Sequence, residues 1–167
     1  MYVQLEVYNY RIVIIRLKLT VRGAHMEFEK IIKTLQQNSR FFNTFSDAEM
    51  MQILKHCTSK SYKEGQVVFQ ERSLGEQMYI VLTGAVRIKK QGKIIDLVRK
   101  GECFGEMGAV SGDERSATAE ASSDVLLLEI AEKKVESLPD ELQVKLYKNI
   151  MLILSDRLRK RIEEKSH

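Results

Sequence analysis

The stretch with the most chemical content reads Gly101-Glu102-Cys103-Phe104-Gly105-Glu106-Met107-Gly108-Ala109-Val110 and continues Ser111-Gly112-Asp113-Glu114-Arg115-Ser116-Ala117-Thr118. The pattern predicts a strand that ends at Phe104, a tight turn at Gly105 and a very short helix opening near Glu106. The first amides of a helix have no partner within it, so they suit an anion. Gly108 carries no side chain and lets a ligand approach the backbone closely. Arg115 supplies a permanently charged planar fork matched to phosphate or carboxylate, and Ser116 and Thr118 add hydroxyl donors. Glu106 is an acceptor suited to the hydroxyl pair of a sugar. Donors for a phosphate beside an acceptor for hydroxyls describe the ribose-phosphate of a nucleotide.

The elements that must position these groups fall into four pieces. Residues 1–26 form an extension in which Tyr10, Ile12, Ile14, Leu17, Leu19 and Val21 alternate with polar residues, a strand periodicity. Gly23-Ala24-His25-Met26 has the look of a cloning junction with Met26 as the native start; a native extension would be an added edge strand. Residues 27–58 read as helical: Phe28, Ile31, Ile32 and Leu35 make an apolar stripe, and Ser46-Asp47-Ala48-Glu49 fits a capping box ahead of Met50, Met51, Ile53 and Leu54.

Residues 59–130 change character. Short β-prone runs at Gln66–Phe69, Met78–Leu82, Ala85–Lys89, Ile94–Val98 and Val125–Ile130 alternate with turn signals such as Thr83-Gly84 and Gln91-Gly92. Many short strands at this spacing argue for an antiparallel barrel or jelly roll. Residues 131–164 return to helix, broken early at Pro139. From Asp140 an amphipathic helix carries Leu142, Leu146, Ile150, Ile153, Leu154, Leu158 and Ile162, and its charges gather late, from Arg157 to Glu164. The expected fold is therefore α+β and mainly β: an antiparallel jelly-roll barrel with an N-terminal helix and C-terminal lid helices.

Composition excludes several functions. The chain of 167 residues has 27 Lys+Arg against 23 Asp+Glu, a net charge of +4 and a pI of about 9.0, which alone would suggest nucleic acid or a membrane surface. Residues 1–25 hold Arg11, Arg16, Lys18 and Arg22 against only Glu6, so residues 26–167 carry only +1 and the basic signal belongs to the extension. Cys57 and Cys103 have no CxxC spacing and read as buried thiols in a reducing compartment, which places the protein in the cytoplasm. Two cysteines and three histidines (His25, His56 and His167) rule out a four-cysteine zinc or iron–sulfur site and disfavour a histidine-rich metal centre. No apolar run approaches the roughly 18–20 residues of a membrane span.

Gly105-Glu106-Met107-Gly108-Ala109-Val110, with Arg115-Ser116-Ala117-Thr118 beginning nine residues after the Glu, resembles the phosphate-binding cassette of the cyclic-nucleotide-binding domains. These are the modules of the catabolite activator protein, protein kinase regulatory subunits and cyclic-nucleotide-gated channels. Phe45–Glu49 is similar to the family's opening helix, Tyr62–Phe69 to its first hairpin, and Gly75–Gly84 to its paired central strands, so the likeness covers roughly residues 41–160. The resemblance implies that Glu106 takes the ribose 2′-hydroxyl and Arg115 the cyclic phosphate. It also implies that Ser116 and the amides around Gly105 and Gly108 complete a cradle in which Met107 and Ala117 take part. Met107 and Gly108 replace the family's commoner aliphatic and alanine, and Ser116 does not choose between cAMP and cGMP. The base-capping residue of the last helix has only spacing-based candidates here, Leu154, Leu158 and Arg161.

The implied function is a non-catalytic sensor of cAMP or cGMP, needing no cofactor, that signals through movement of its C-terminal helix. The partners expected are the nucleotide, an effector protein and a second copy through that helix, with neither nucleic acid nor a membrane span. One alternative is a fragment of a catabolite-activator-like transcription regulator lacking its DNA-binding domain; another is a ligand-free interaction domain of the same fold. A cupin-type metal enzyme fails because residues 59–130 contain no histidine. Plainer readings are expected elsewhere: His56 as a solvated helix end, Tyr79 and Phe69 as core, and Arg157 to Arg161 as a solvated helix face. An ion pair between Glu106 and Arg115 is the plain alternative to ligand contact.

Overall fold

The computed structural model describes residues 20–21, 24–25 and 28–165. Most of the alternating segment, its reading as an edge strand, and the junction residues Gly23 and Met26 lie outside them. The described Thr20–Val21 (β1) and Ala24–His25 (β2) pair antiparallel, Thr20 opposite His25. Two helices follow, Phe28–Asn38 (α1) and Asp47–Lys55 (α2). The expected capping box is present: the Glu49 amide donates to Ser46 Oγ at 3.3 Å and the Ser46 amide to Glu49 Oε2 at 2.7 Å.

Eight strands and a short helix come next: Thr58–Tyr62 (β3), Val67–Phe69 (β4), Gln77–Thr83 (β5), Ala85–Lys90 (β6), Lys93–Arg99 (β7), Cys103–Phe104 (β8), the helix Glu106–Ser111 (α3), Thr118–Ala121 (β9) and Val125–Ala131 (β10). They make two antiparallel four-stranded sheets, ordered β3-β10-β5-β8 and β4-β9-β6-β7. The fold is α+β and mainly β, with the jelly-roll architecture expected, although the two sheets are not joined into one closed cylinder. The chain finishes with Glu132–Val135 (α4) and Asp140–Lys165 (α5), separated at Pro139 as the missing amide of proline requires.

Alternation along β5 and β10 shows where the core sits. Met78, Ile80 and Leu82, with Leu126, Leu128 and Ile130, face a cluster built with α1, α2 and α5. Tyr79 and Val81, with Val125 and Leu127, face the other way into the space between the sheets, against Val86, Val98, Ala119 and Ala121. Successive strand residues point to opposite faces, so a sheet covered on both sides needs the unbroken apolar runs that these two strands have. Two strands lacked that signal in the sequence. β3 reads Thr-Ser-Lys-Ser-Tyr because it is a partly exposed sheet edge, and β9 reads Thr-Ala-Glu-Ala because its inward positions, Ala119 and Ala121, are small.

Candidate functional site

Arg115 organises the site. It is 3% exposed, and its guanidinium lies 4.2 Å from the centroid of the Phe69 ring. Its Nη1 donates to the Gly105 carbonyl at 2.8 Å and its Nη2 to the Gln77 carbonyl at 2.7 Å. Its backbone is pinned as well, because the Arg115 amide donates to the Ser73 carbonyl and the Arg72 amide donates to the Arg115 carbonyl, both at 2.8 Å. Among the described residues, Arg115 Nε is the buried side-chain nitrogen left without a hydrogen-bond partner. Burial pulls the guanidinium below its ordinary value, opposed by Tyr79, Glu106 and Glu129. Glycines make room for it: a Cβ at Gly75 would meet Nη2 at 2.8 Å, and one at Gly105 or Gly108 would meet Nη1 at 3.0 Å. Gly105, with φ +76°, also caps α3 in the left-handed region that an L side chain rarely adopts.

Glu106, the first residue of α3, is 3% exposed. It does not pair with Arg115, so the plain ion-pair alternative does not hold. Its partner is Arg157 on α5, whose Nη1 lies 2.5 Å from Glu106 Oε1 while Nη2 donates to the Cys103 carbonyl at 2.6 Å. Arg157 Nε also approaches Asp96 Oδ2 on β7 at 3.9 Å. Desolvation pushes the Glu106 carboxyl above its ordinary range, and the charge of Arg157 pulls it back in part.

These groups line a cavity of about 590 Å³, inside the size range of small-molecule sites. The second sheet contributes Phe69, Ile88, Ile95 and Val98, and the last helix lies across it with Leu154, Arg157, Leu158 and Arg161. All seven residues singled out in the sequence, Gly105, Glu106, Met107, Gly108, Arg115, Ser116 and Ala117, line this one cavity. The three candidates for covering a base, Leu154, Leu158 and Arg161, line it too. Thr118 does not belong to the lining; its hydroxyl accepts the Glu71 amide at 2.9 Å. Ser116 is exposed, and its carbonyl accepts Lys90 Nζ at 2.5 Å.

The solvated-face reading fails for Arg157, which is half-buried and bonded to two other elements. Within the run Arg157-Leu158-Arg159-Lys160-Arg161 nothing local marks it, since its acidic partner is 51 residues away. Phe69 also exceeds its core reading by standing both in the cavity wall and under Arg115, whereas Tyr79 is core as expected, its ring stacked on Phe104 at 5.2 Å. His56 caps the end of α2, its amide donating to the Ile53 carbonyl at 3.0 Å and the next amide, of Cys57, to the Leu54 carbonyl at 3.2 Å. The Cys57 thiol, packed against the helical core, is pushed up to about 12 by burial, and Cys103 is raised by the same cause. No group of His, Cys, Asp and Glu among the described residues could hold a metal ion, and no described helix is long and apolar enough to cross a membrane.

Fold and site together define a class: a jelly-roll module that keeps a buried arginine and a buried carboxylate in one cavity and sets a helix over both. Residues 59–141 match the family described as the cyclic nucleotide-binding domain, and the chain belongs to that family. The cyclic AMP receptor protein of Thermus thermophilus is 30% identical over 128 residues, covering 74% of this chain and 59% of that protein. The crystal structure of the Thermus thermophilus catabolite activator protein has a TM-score of 0.69 at 29% identity, covering 77% of this chain and 62% of that one. A cGMP-dependent protein kinase of Toxoplasma gondii is 28% identical over 113 residues, 68% of this chain but 11% of the kinase. The chain thus spans between about a tenth and three fifths of these curated relatives.

Proposed function

We propose that this chain is a non-catalytic sensor that binds a cyclic mononucleotide, cAMP or cGMP, in the cavity over Arg115, with no cofactor. The observation that carries the reading is Arg115 itself. It is a buried cation with no ion pair among the described residues and an unpartnered Nε, set in the wall of a nucleotide-sized cavity. A buried charge left unpaired is costly, so the arrangement is explained by an anion that arrives from outside. The singly charged cyclic phosphate meets Arg115, the backbone around Gly105 and Gly108, Ser116 and Ala117. The ribose hydroxyl meets Glu106, and Met107 closes the rim. Each charge-assisted hydrogen bond contributes about 1.5–3 kcal/mol, and the apolar wall takes the base.

Binding favours whichever placement of α3 and α5 makes the most contacts, and the population shifts toward it. We take residues 59–130 as the binding unit, with 105–118 as its cassette, 27–58 as the helical support and 131–164 as the moving output. That output reaches an effector protein or a second copy. Val144, Met151 and Leu158 recur every seven residues along α5 and are each more than half exposed, which supports a homodimer seam. The setting is cytoplasmic, with no role for nucleic acid. Because the chain spans 59% of the Thermus receptor protein, a second reading is that it forms the sensing part of a transcription regulator.

Calorimetric titration with cAMP, cGMP and a cyclic dinucleotide tests the proposal. One of the two mononucleotides is expected to bind one per chain at micromolar concentration. No heat from either at high micromolar concentration would instead favour an interaction domain that keeps the fold without the ligand.

A further inference from the structure

Arg157 carries an ion pair between α5 and the cassette, to Glu106. We propose that Arg157 is a positioning residue for sugar recognition: it holds the Glu106 carboxylate in place as an acceptor, so that preference for a nucleotide carrying its 2′-hydroxyl depends on the lid helix. This rests on the cyclic-nucleotide reading above.

Arg157 joins three elements through its one guanidinium, bonding Glu106 on α3 and the Cys103 carbonyl on β8 and approaching Asp96 on β7. The bond to Glu106 runs to Oε1. A carboxylate has about four lone-pair sites, so an arginine on one oxygen leaves acceptor capacity for a ribose hydroxyl. Arg157 therefore supports sugar binding rather than competing with it. The groups facing Glu106 are Arg157 from α5, Asp96 from β7, the Cys103 thiol from β8, and Arg115 from the loop before β9. Of the two cations, Arg157 is the one that touches the carboxylate, while Arg115 is turned to the Gly105 and Gln77 carbonyls. In this desolvated position a carboxyl without its counter-charge takes up a proton and becomes a poorer acceptor. Sugar recognition and lid position are thus one contact, and each strengthens the other.

The test pairs cAMP and cGMP with their 2′-deoxy analogues against wild type, Arg157→Gln and Arg157→Lys, with thermal melts confirming that each variant folds. Wild type should prefer the hydroxyl-bearing nucleotide by about tenfold, the equivalent of one good hydrogen bond. Arg157→Gln should lose most of that preference, weakening the hydroxyl-bearing nucleotide about tenfold more than its 2′-deoxy analogue, and Arg157→Lys should keep part of it. In ligand-free protein, carbon-13 NMR of the Glu106 carboxyl should show a higher titration midpoint in Arg157→Gln. Equal weakening of both analogues would make Arg157 merely structural and overturn the inference, as would an unchanged preference or an unmoved midpoint. Wild type that binds neither nucleotide would contradict the cyclic-nucleotide reading itself, and the inference would fall with it.

Discussion

The two halves of α5 are held in opposite ways. Over residues 140–150 the helix is bolted down: Leu142, Leu146 and Ile150 are buried, Lys145 Nζ contacts Glu49 Oε2 at 2.8 Å, and Asn149 Nδ2 donates to the Phe41 carbonyl and Thr44 Oγ1, each at 2.8 Å. Beyond Ile150 the apolar packing thins: Ile153 and Leu154 are only partly buried against the core, and Met151, Leu152, Leu158 and Ile162 are all more than half exposed. There the partial packing is supplemented by polar contacts, through Arg157 over the cavity and an exposed Arg40–Asp156 pair. On the proposed reading, the difference lets one helix serve as anchor and lever. Close-packed core positions resist any shift, whereas a few polar contacts can be exchanged for contacts to a ligand.

Stability measurements can break this contrast. Leu146→Ala should cost about 2–5 kcal/mol, a Tm loss of several degrees, because it opens a cavity among α1, α2 and the first sheet. Leu158→Ala should stay within about 0.5 kcal/mol, as exposed sites do. Equal losses from the two would mean that the outer half is packed as tightly as the inner one. Asn149→Ala ranks next, at about 1–3 kcal/mol by denaturant unfolding, since it orphans the buried Phe41 carbonyl.

The smallest effects sharpen the contrast through pH. Glu49 and Glu106 are both bound by a cation from α5 yet shift in opposite directions. The hydrogen bond from Lys145 pulls Glu49 below 4.5, while desolvation lifts Glu106 above it. A depressed carboxyl contributes stability that is present above pH 4.5 and lost as pH falls through the lowered value. A raised carboxyl does the reverse: its contribution is complete below pH 4.5 and declines as pH rises through the raised value. Urea unfolding across pH should therefore place Glu49→Gln below wild type at neutral pH by less than about 1 kcal/mol, with the gap closing in acid. Glu106→Gln should gain on wild type as pH rises. Parallel curves for the two variants would remove the distinction between the solvated and the desolvated pair.

The same asymmetry explains what the sequence made legible. The cradle was readable because glycine, an acid and an arginine at fixed spacing lie within fourteen residues and are bound to one local geometry. The inner half of α5 was readable because burial leaves a periodic trace at Leu142, Leu146 and Ile150. Arg157 left no trace, since a helix that faces solvent and one that faces a cavity can carry the same charged run. The polar strand β3 was hidden for a related reason: at a sheet edge the backbone pairs while the side chains remain in water.

The central claim is that Arg115 is held ready for an anion that the protein itself does not supply. Calorimetric titration of wild type, Arg115→Ala and Ser116→Ala with the preferred cyclic nucleotide tests it most directly. Arg115→Ala should lose about 3 kcal/mol or more of binding free energy, over a hundredfold in Kd, while Ser116→Ala loses about 1 kcal/mol or less. Comparable losses from the two substitutions would contradict the account.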